Sequence, residues 1–221
     1  MTHYIYLHGF ASSPLSAKAV YLRDSFAAAL RAHRFTQCHV NLKIPDLNAG
    51  DFSHLTITRQ LKQVASEFPD NSTPITLIGS SLGGLSAAHL AQRHLQVQRL
   101  VLLAPAFGFL SHWLSKLGEE QVQRWQQDKY MPVYHYGEKR QLPLHYDFLT
   151  DAAQYQAQQL TRPIPTLILH GKDDEVIPIQ ASRDYAQERP WVELVELDSN
   201  HALGNVLEEI WQAIVLFCQL P

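Results

Sequence analysis

Residues Ile75 to Ala91 constrain the fold more than any other stretch. A β-branched apolar run, a Gly-x-Ser-x-Gly turn and a helix of small residues follow one another without a gap. Pro74-Ile75-Thr76-Leu77 reads as a buried strand and Gly84-Leu85-Ser86-Ala87-Ala88-His89-Leu90-Ala91 as a helix. The turn between them, Gly79-Ser80-Ser81-Leu82-Gly83, centres the pattern on Ser81, because Ser80 has Ile78 and Leu82 at the flanking positions. A serine lifted above a sheet edge on a strained turn leaves no room for a Cβ two residues to either side, and glycine is what such positions require. The same turn aims backbone N–H groups and a helix N-terminus at the serine, where they can stabilise an oxyanion. Ser81 is the candidate nucleophile.

A nucleophilic serine needs a base and a group that orients the base. Thr166-Leu167-Ile168-Leu169 is a buried-strand run ending in His170-Gly171-Lys172-Asp173-Asp174-Glu175-Val176-Ile177-Pro178. An acid at the carboxyl end of a late strand can reach across the sheet top to a histidine, and on composition either Asp173 or Asp174 qualifies. Val192 to Leu197 is the next strand, and Asp198-Ser199-Asn200-His201 follows it as a loop. Serine, acid and histidine thus come in that order from three separate strand ends, the order that α/β-hydrolases use. His201 would take the Ser81 proton and return it to the leaving group, with the acid holding the imidazole tautomer.

Tyr4-Ile5-Tyr6-Leu7 is a further strand, running into His8-Gly9-Phe10-Ala11-Ser12-Ser13-Pro14. With these residues in view, the chain resembles the α/β-hydrolases. Tyr6 to Ala19, together with Gly79-Ser80-Ser81-Leu82-Gly83-Gly84, is similar to the small bacterial YqiA-type esterases, which share a His-Gly-Phe-x-Ser-Ser-Pro segment, an early start and the same elbow. The resemblance implies Asp174 as the acid, three residues after Gly171, and leaves Asp173 as a turn or capping residue. It implies that Phe10, in the loop after the first strand, and Leu82, after the nucleophile, donate oxyanion-hole N–H groups while their side chains are free to line an acyl pocket. His8 is expected to pack and hydrogen-bond beneath its loop. Hydrolysis of carboxylic esters or acyl thioesters follows, with no cofactor, because the protein supplies nucleophile, base and electrostatics.

Composition agrees with one core and a small-molecule substrate. A 221-residue chain, 46% hydrophobic, can bury a single sizeable core. Its net charge of −3, with both signs interspersed, points to no nucleic-acid partner or membrane surface. No run approaches a membrane span, no charged-then-apolar leader precedes Tyr4, and Cys38 and Cys218 read as free thiols in a reducing compartment, so a cytoplasmic location is expected. Strands are expected near 4–8, 38–43, 75–79, 99–104, 166–170 and 192–197. Helices are expected at Ala17 to Arg34 (Val20, Phe26 and Leu30 inward), after a Ser53 cap (Ile57, Leu61, Val64 and Phe68 inward), at Ala181 to Glu188, and at Leu203 to Leu220 (Val206, Ile210, Ile214 and Phe217 inward). This alternation predicts an α/β-hydrolase fold over residues 1–221 as a single domain: a trimmed, mostly parallel sheet of about six strands with helices on both faces and a small lid insertion. Larger relatives begin with two antiparallel strands, and three residues before Tyr4 leave no room for them.

The lid insertion falls at about 107–160 and is rich in rings, among them Phe107, Trp113, Trp125, Tyr134 and Phe148. Most of these are expected to pack onto the core, with Phe107 and Trp113, close behind a strand end, lining the substrate pocket. Glu119 to Gln127 reads as a polar helix with Val122 and Trp125 inward, and Pro132 and Pro143 as loop punctuation. His112, His135 and His145 lack zinc-site spacing, so no metal is expected. Arg140 belongs to a solvent-facing charge cluster, with a substrate carboxylate or coenzyme A phosphates as its other possible partners. The reading is a serine esterase for small to medium acyl groups, as a monomer or homodimer. An acyl-CoA thioesterase and a non-catalytic ligand binder on the same fold are the alternatives.

Overall fold

The apolar runs become one parallel sheet, in a computed structural model that describes residues 2–32, 42–69 and 73–220. In chain order the elements are β1 (His3–Leu7), α1 (Ala17–Ala32), β2 (Leu42–Lys43), α2 (Ile57–Ser66), β3 (Ile75–Ser80), α3 (Leu82–Arg93) and β4 (Val97–Leu103). An insertion then contributes α4 (Phe109–Leu117), α5 (Glu119–Asp128), β5 (Tyr130–His135), β6 (Arg140–His145) and α6 (Asp147–Ala152). The chain returns to the sheet with β7 (Thr166–Gly171), α7 (Gln180–Gln187), β8 (Val192–Leu197) and α8 (Leu207–Cys218).

Among the described residues the main sheet has six strands, all parallel, in the order β2-β1-β3-β4-β7-β8. After β2 the chain crosses back to the other side of β1, so the winding reverses between β1 and β3. Loops leaving the carboxyl ends of strands at such a reversal diverge and open a crevice. Ser81, the first residue after β3, stands at that crevice. Every residue of β3 is buried, as a central strand covered on both faces must be. Leu61 and Val64 of α2, Leu85 and Leu90 of α3, and Trp125 and Phe148 of the insertion pack one face. Ala19, Leu22 and Phe26 of α1 pack the other with Ile210, Ile214 and Cys218 of α8.

Several local expectations are corrected. The α2 cap is Thr56, not Ser53: its hydroxyl accepts the Arg59 N–H at 3.1 Å, and Phe68 lies beyond the helix end. In α1 Phe26 is inward as expected, together with Ala19 and Leu22, and Val20 is only half-buried; the Leu30 side chain, Arg34 and Cys38 lie outside the described residues. α8 begins at Leu207, after Val206 at φ −123° and ψ 25°, and Leu203, with a left-handed φ of 55°, lies outside it, although Leu203 and Val206 are both buried. Phe109–Leu117 is helical where no helix was expected.

The largest correction concerns the two insertion prolines. They sit directly opposite one another in an antiparallel ribbon, β5 with β6. Pairs in such a ribbon alternate between those that exchange N–H···O bonds and those whose N–H groups point outward. The His145 N–H points outward, to the Ser53 carbonyl at 2.8 Å. Pro143 is two residues away and shares that parity, so its missing N–H costs the ribbon nothing, and the same holds for Pro132 across from it.

Thr56→Ala is expected to lower stability by about 1 kcal/mol, and Ser53→Ala by less than about 0.5 kcal/mol, read from urea-unfolding midpoints.

Candidate active site

Close backbone packing holds the turn after β3. Ser81 has φ 53° and ψ −118°, a conformation that side-chain-bearing residues rarely adopt. Its N–H donates to the Leu103 carbonyl at 2.9 Å, and its carbonyl accepts from Gly84 at 2.9 Å and Ala106 at 3.0 Å. A Cβ on Gly79 would lie 2.7 Å from the Gly84 α-carbon, and one on Gly83 would lie 2.6 Å from the His8 carbonyl oxygen and closer still to that of Leu7. Both distances are inside van der Waals contact with backbone that cannot move independently. The neighbouring Ser80 is buried and hydrogen-bonds the Tyr6 hydroxyl.

The structure brings Ser81, His201 and Asp174 together. His201 Nε2 lies 3.1 Å from Ser81 Oγ, and His201 Nδ1 lies 2.7 Å from Asp174 Oδ2. A carboxylate at Nδ1 fixes the proton there and leaves Nε2 to accept from the serine hydroxyl. Asp174 Oδ1 accepts the Val176 and Ile177 N–H groups at 2.8 Å each. Burial works to raise the carboxyl pKa, but hydrogen bonds from His170, His201 and the Ile177 N–H outweigh it and hold Asp174 well below the usual carboxylate range. Asp173 is exposed in the turn, with its N–H on the Ser199 carbonyl at 3.1 Å, and α7 begins too far along the chain for Asp173 to cap it.

The Phe10 and Leu82 N–H groups flank the same turn, and neither donates to another described residue. Their side chains differ from expectation. Leu82 is buried in the core, with no open face for a pocket. The Phe10 ring sits in an aromatic cluster, 5.1 Å from Phe148, 5.6 Å from Phe52 and 5.7 Å from Trp113. His8 is buried, its Nδ1 3.0 Å from the Gly9 carbonyl and its Nε2 accepting the Leu47 N–H at 2.9 Å, so both ring nitrogens are occupied beneath the loop.

Phe107 and Trp113 separate. Trp113 packs into the Phe10 cluster and edge-on to Trp125 at 5.6 Å. Phe107 stacks on Tyr185 at 4.3 Å and forms a wall of a cleft of about 420 Å³, lined also by His112, Gln158, Pro178 and Asp184, whose lining does not include Ser81. Arg140 pairs with Glu138 at 3.5 Å at the exposed ribbon tip. Among the described residues, no group of three or more His, Cys, Asp or Glu side chains is arranged to hold a metal ion, and no helix is long and apolar enough to cross a membrane.

Sequence reasoning passed over two neighbours of the site. Lys18 donates from Nζ to the Ala202 carbonyl at 2.7 Å, and burial lowers its pKa to about 8 against the pull of Asp174. A lysine in the first turn of a helix opposes the macrodipole, and that misplacement was its available signal. His170 contacts Asp174 from within β7, and a histidine at the end of a buried strand was the corresponding signal.

A parallel sheet reversed at β1/β3, with a Gly-x-Ser-x-Gly turn at the reversal and histidine and acid on later strand ends, defines the α/β-hydrolase fold, and this chain has it. Over residues 3–218 the chain matches the family described as "Uncharacterised protein family (UPF0227)", and it belongs to that family, as the YqiA-type resemblance implied. Among solved structures it is similar to a protein of Agrobacterium vitis S4 (23% identity, TM-score 0.81, covering 98% of this chain and 87% of that one). It is similar also to mouse alpha/beta hydrolase domain-containing protein 10 (21%, TM-score 0.75, 98% and 87%). A third is Est1E of Butyrivibrio proteoclasticus with ferulic acid bound (20%, TM-score 0.78, 99% and 88%). At these identities the likeness is one of fold. No curated protein matches the chain.

Two outcomes are expected. Gly83→Ala should cost about 3 kcal/mol or more, or prevent folding, since no side chain can swing aside to admit the methyl group. Asp174, depressed in the folded state from an ordinary 3.8, contributes stability that is complete above that pH and lost as pH falls through the lower folded value. The Tm gap between the native protein and Asp174→Asn should therefore be present at about pH 5 and narrow below about pH 4.

Proposed function

We propose that the protein is a serine hydrolase that cleaves carboxylic esters of small to medium acyl groups. The observation that carries this reading is the unbroken hydrogen-bonded chain from Ser81 Oγ through both His201 nitrogens to Asp174. In the proposed reaction Ser81 Oγ attacks the ester carbonyl as its proton passes to His201 Nε2. The resulting oxyanion is held by the Phe10 and Leu82 N–H groups, at the positive end of α3. His201 returns the proton to the departing alcohol, leaving an acyl-enzyme on Ser81. Water, deprotonated by His201, then releases the acid, while Asp174 stabilises the imidazolium in both halves.

Residues 107–160 act, in this reading, as a lid within a single domain. The Phe10 ring links that lid to the oxyanion loop, so seating of the insertion and placement of the Phe10 N–H are coupled. The Phe107–Tyr185 stack gives the adjoining cleft a flat apolar wall for part of the substrate. One neighbour in fold, Est1E, binds ferulic acid, so an aromatic acyl group belongs in the substrate panel.

The test is hydrolysis of p-nitrophenyl esters from acetate to palmitate, with a feruloyl ester and matched acyl-CoA thioesters alongside. Native turnover is expected to peak at short or medium chains, and Ser81→Ala and His201→Ala should fall about a thousandfold or more. Asp174→Asn should be severe and Asp173→Asn near native. Turnover that survives Ser81→Ala, or none by the native protein on any ester, would overturn the reading; faster cleavage of thioesters would reassign the substrate class. Phe107→Ala should move the chain-length optimum without abolishing turnover.

A further inference from the structure

Asp174 Oδ2 is shared by two imidazoles. Besides His201 Nδ1 at 2.7 Å it has His170 Nε2 at 3.1 Å, and the His170 side chain is completely buried. His170 Nε2 also faces the Ile177 carbonyl at 3.0 Å, while Nδ1 lies 2.8 Å from Ser182 Oγ on α7. Both neighbours of Nε2 are acceptors, so Nε2 carries a proton. Nδ1 then accepts from the Ser182 hydroxyl, and a neutral ring satisfies every contact without burying a charge.

Such a ring does more than fill space beside Asp174. Its N–H lies against the oxygen that orients His201, whereas the Val176 and Ile177 N–H groups hold the other oxygen. An N–H shared between the Ile177 carbonyl and Oδ2 draws electron density from the carboxylate, which weakens its hold on a protonated His201. We propose that His170 is a positioning residue that tunes the basicity of His201 through the shared Asp174 oxygen. This rests on the hydrolase reading for its purpose, but its physical content does not depend on turnover.

The other charged groups around the pair come from each packed element. Lys18 of α1 bonds the Ala202 carbonyl, the Glu175 carboxylate lies 3.5 Å from the His201 N–H, and Glu196 of β8, register partner of His170, is paired with Arg183 of α7 at 2.7 Å. All of them remain in the variants proposed here, so they form a constant background.

The experiment is an NMR titration of the His201 ring in the native protein and in His170→Leu, His170→Gln and Ser182→Ala, which needs no substrate. Loss of the donor in His170→Leu should leave Asp174 a stronger partner for imidazolium and raise the His201 midpoint by about half a pH unit or more. The Gln side-chain N–H can replace Nε2–H, so His170→Gln should titrate near native. Ser182→Ala should shift in the Leu direction by less. If His170→Leu does not fold, the ordering of native, His170→Gln and Ser182→Ala still decides. Identical His201 midpoints in all folded variants would overturn the proposal. In the ester assay the same inference predicts that the acid limb of the kcat–pH profile moves up with the His201 midpoint in His170→Leu, with little change in KM, and returns in His170→Gln. An inactive native protein would sink the hydrolase reading while leaving the titration result standing.

Discussion

The contact between Gly83 and the carbonyls that end β1 is the constraint on which the top of the sheet depends. Gly83 presses against the Leu7 and His8 backbone, and Gly79 lets the first turn of α3 fold back over β3. These two approaches fix the spacing between the loop carrying Phe10 and the residue after Ser81. They also account for the left-handed Ser81: the hydrogen bonds to Leu103, Gly84 and Ala106 hold a conformation that the residue alone would leave. Ala11, Ala104 and Leu203, each next to a loop of the site, have positive φ as well. Four of the eight described non-glycine residues with positive φ thus lie around one crevice, and the other four, Ala49, Lys129, Lys139 and Gln219, lie in turns or at element ends.

The main sheet was legible in the sequence because parallel strands covered on both faces become unbroken apolar runs, as Leu100 to Leu103 and Thr166 to Leu169 do. The frame of the elbow was legible because two glycines flank only one of two adjacent serines. The choice between Asp173 and Asp174 was not, since both lie in the same turn and composition cannot say which one a turn directs inward. The geometry separates them through the Asp174 N–H, bonded to the Gly171 carbonyl at 3.3 Å, and the inward carboxylate it accompanies. Lys18 and His170 stayed hidden for a related reason. The Lys18 partner, Ala202, is 184 residues away, and although Asp174 is only four residues from His170, nothing in the residue types says that the turn between them brings the ring onto the carboxylate.

The insertion resisted reading because its stability comes from a few large rings rather than from a periodic stripe. α4 has no fully buried residue, and glycines of positive φ stand at both its ends. Its neighbour α5 is anchored by Trp125, whose indole N–H reaches the Leu144 carbonyl of the ribbon at 2.9 Å. One buried ring thus joins a helix to a strand pair, and neither element carries enough alternation to be recognised separately.

The paired prolines of that ribbon have a consequence beyond secondary structure. A two-stranded ribbon standing apart from a main sheet has two open edges, and an open edge is a template on which another chain can add a strand. Pro132 and Pro143 remove the outward donor from both edges at the same level. The outward N–H groups of Tyr136 and His145 are already bound to Ala11 and Ser53 of the same molecule. The residues that disguised the ribbon as loops are the ones that guard it against strand-by-strand aggregation.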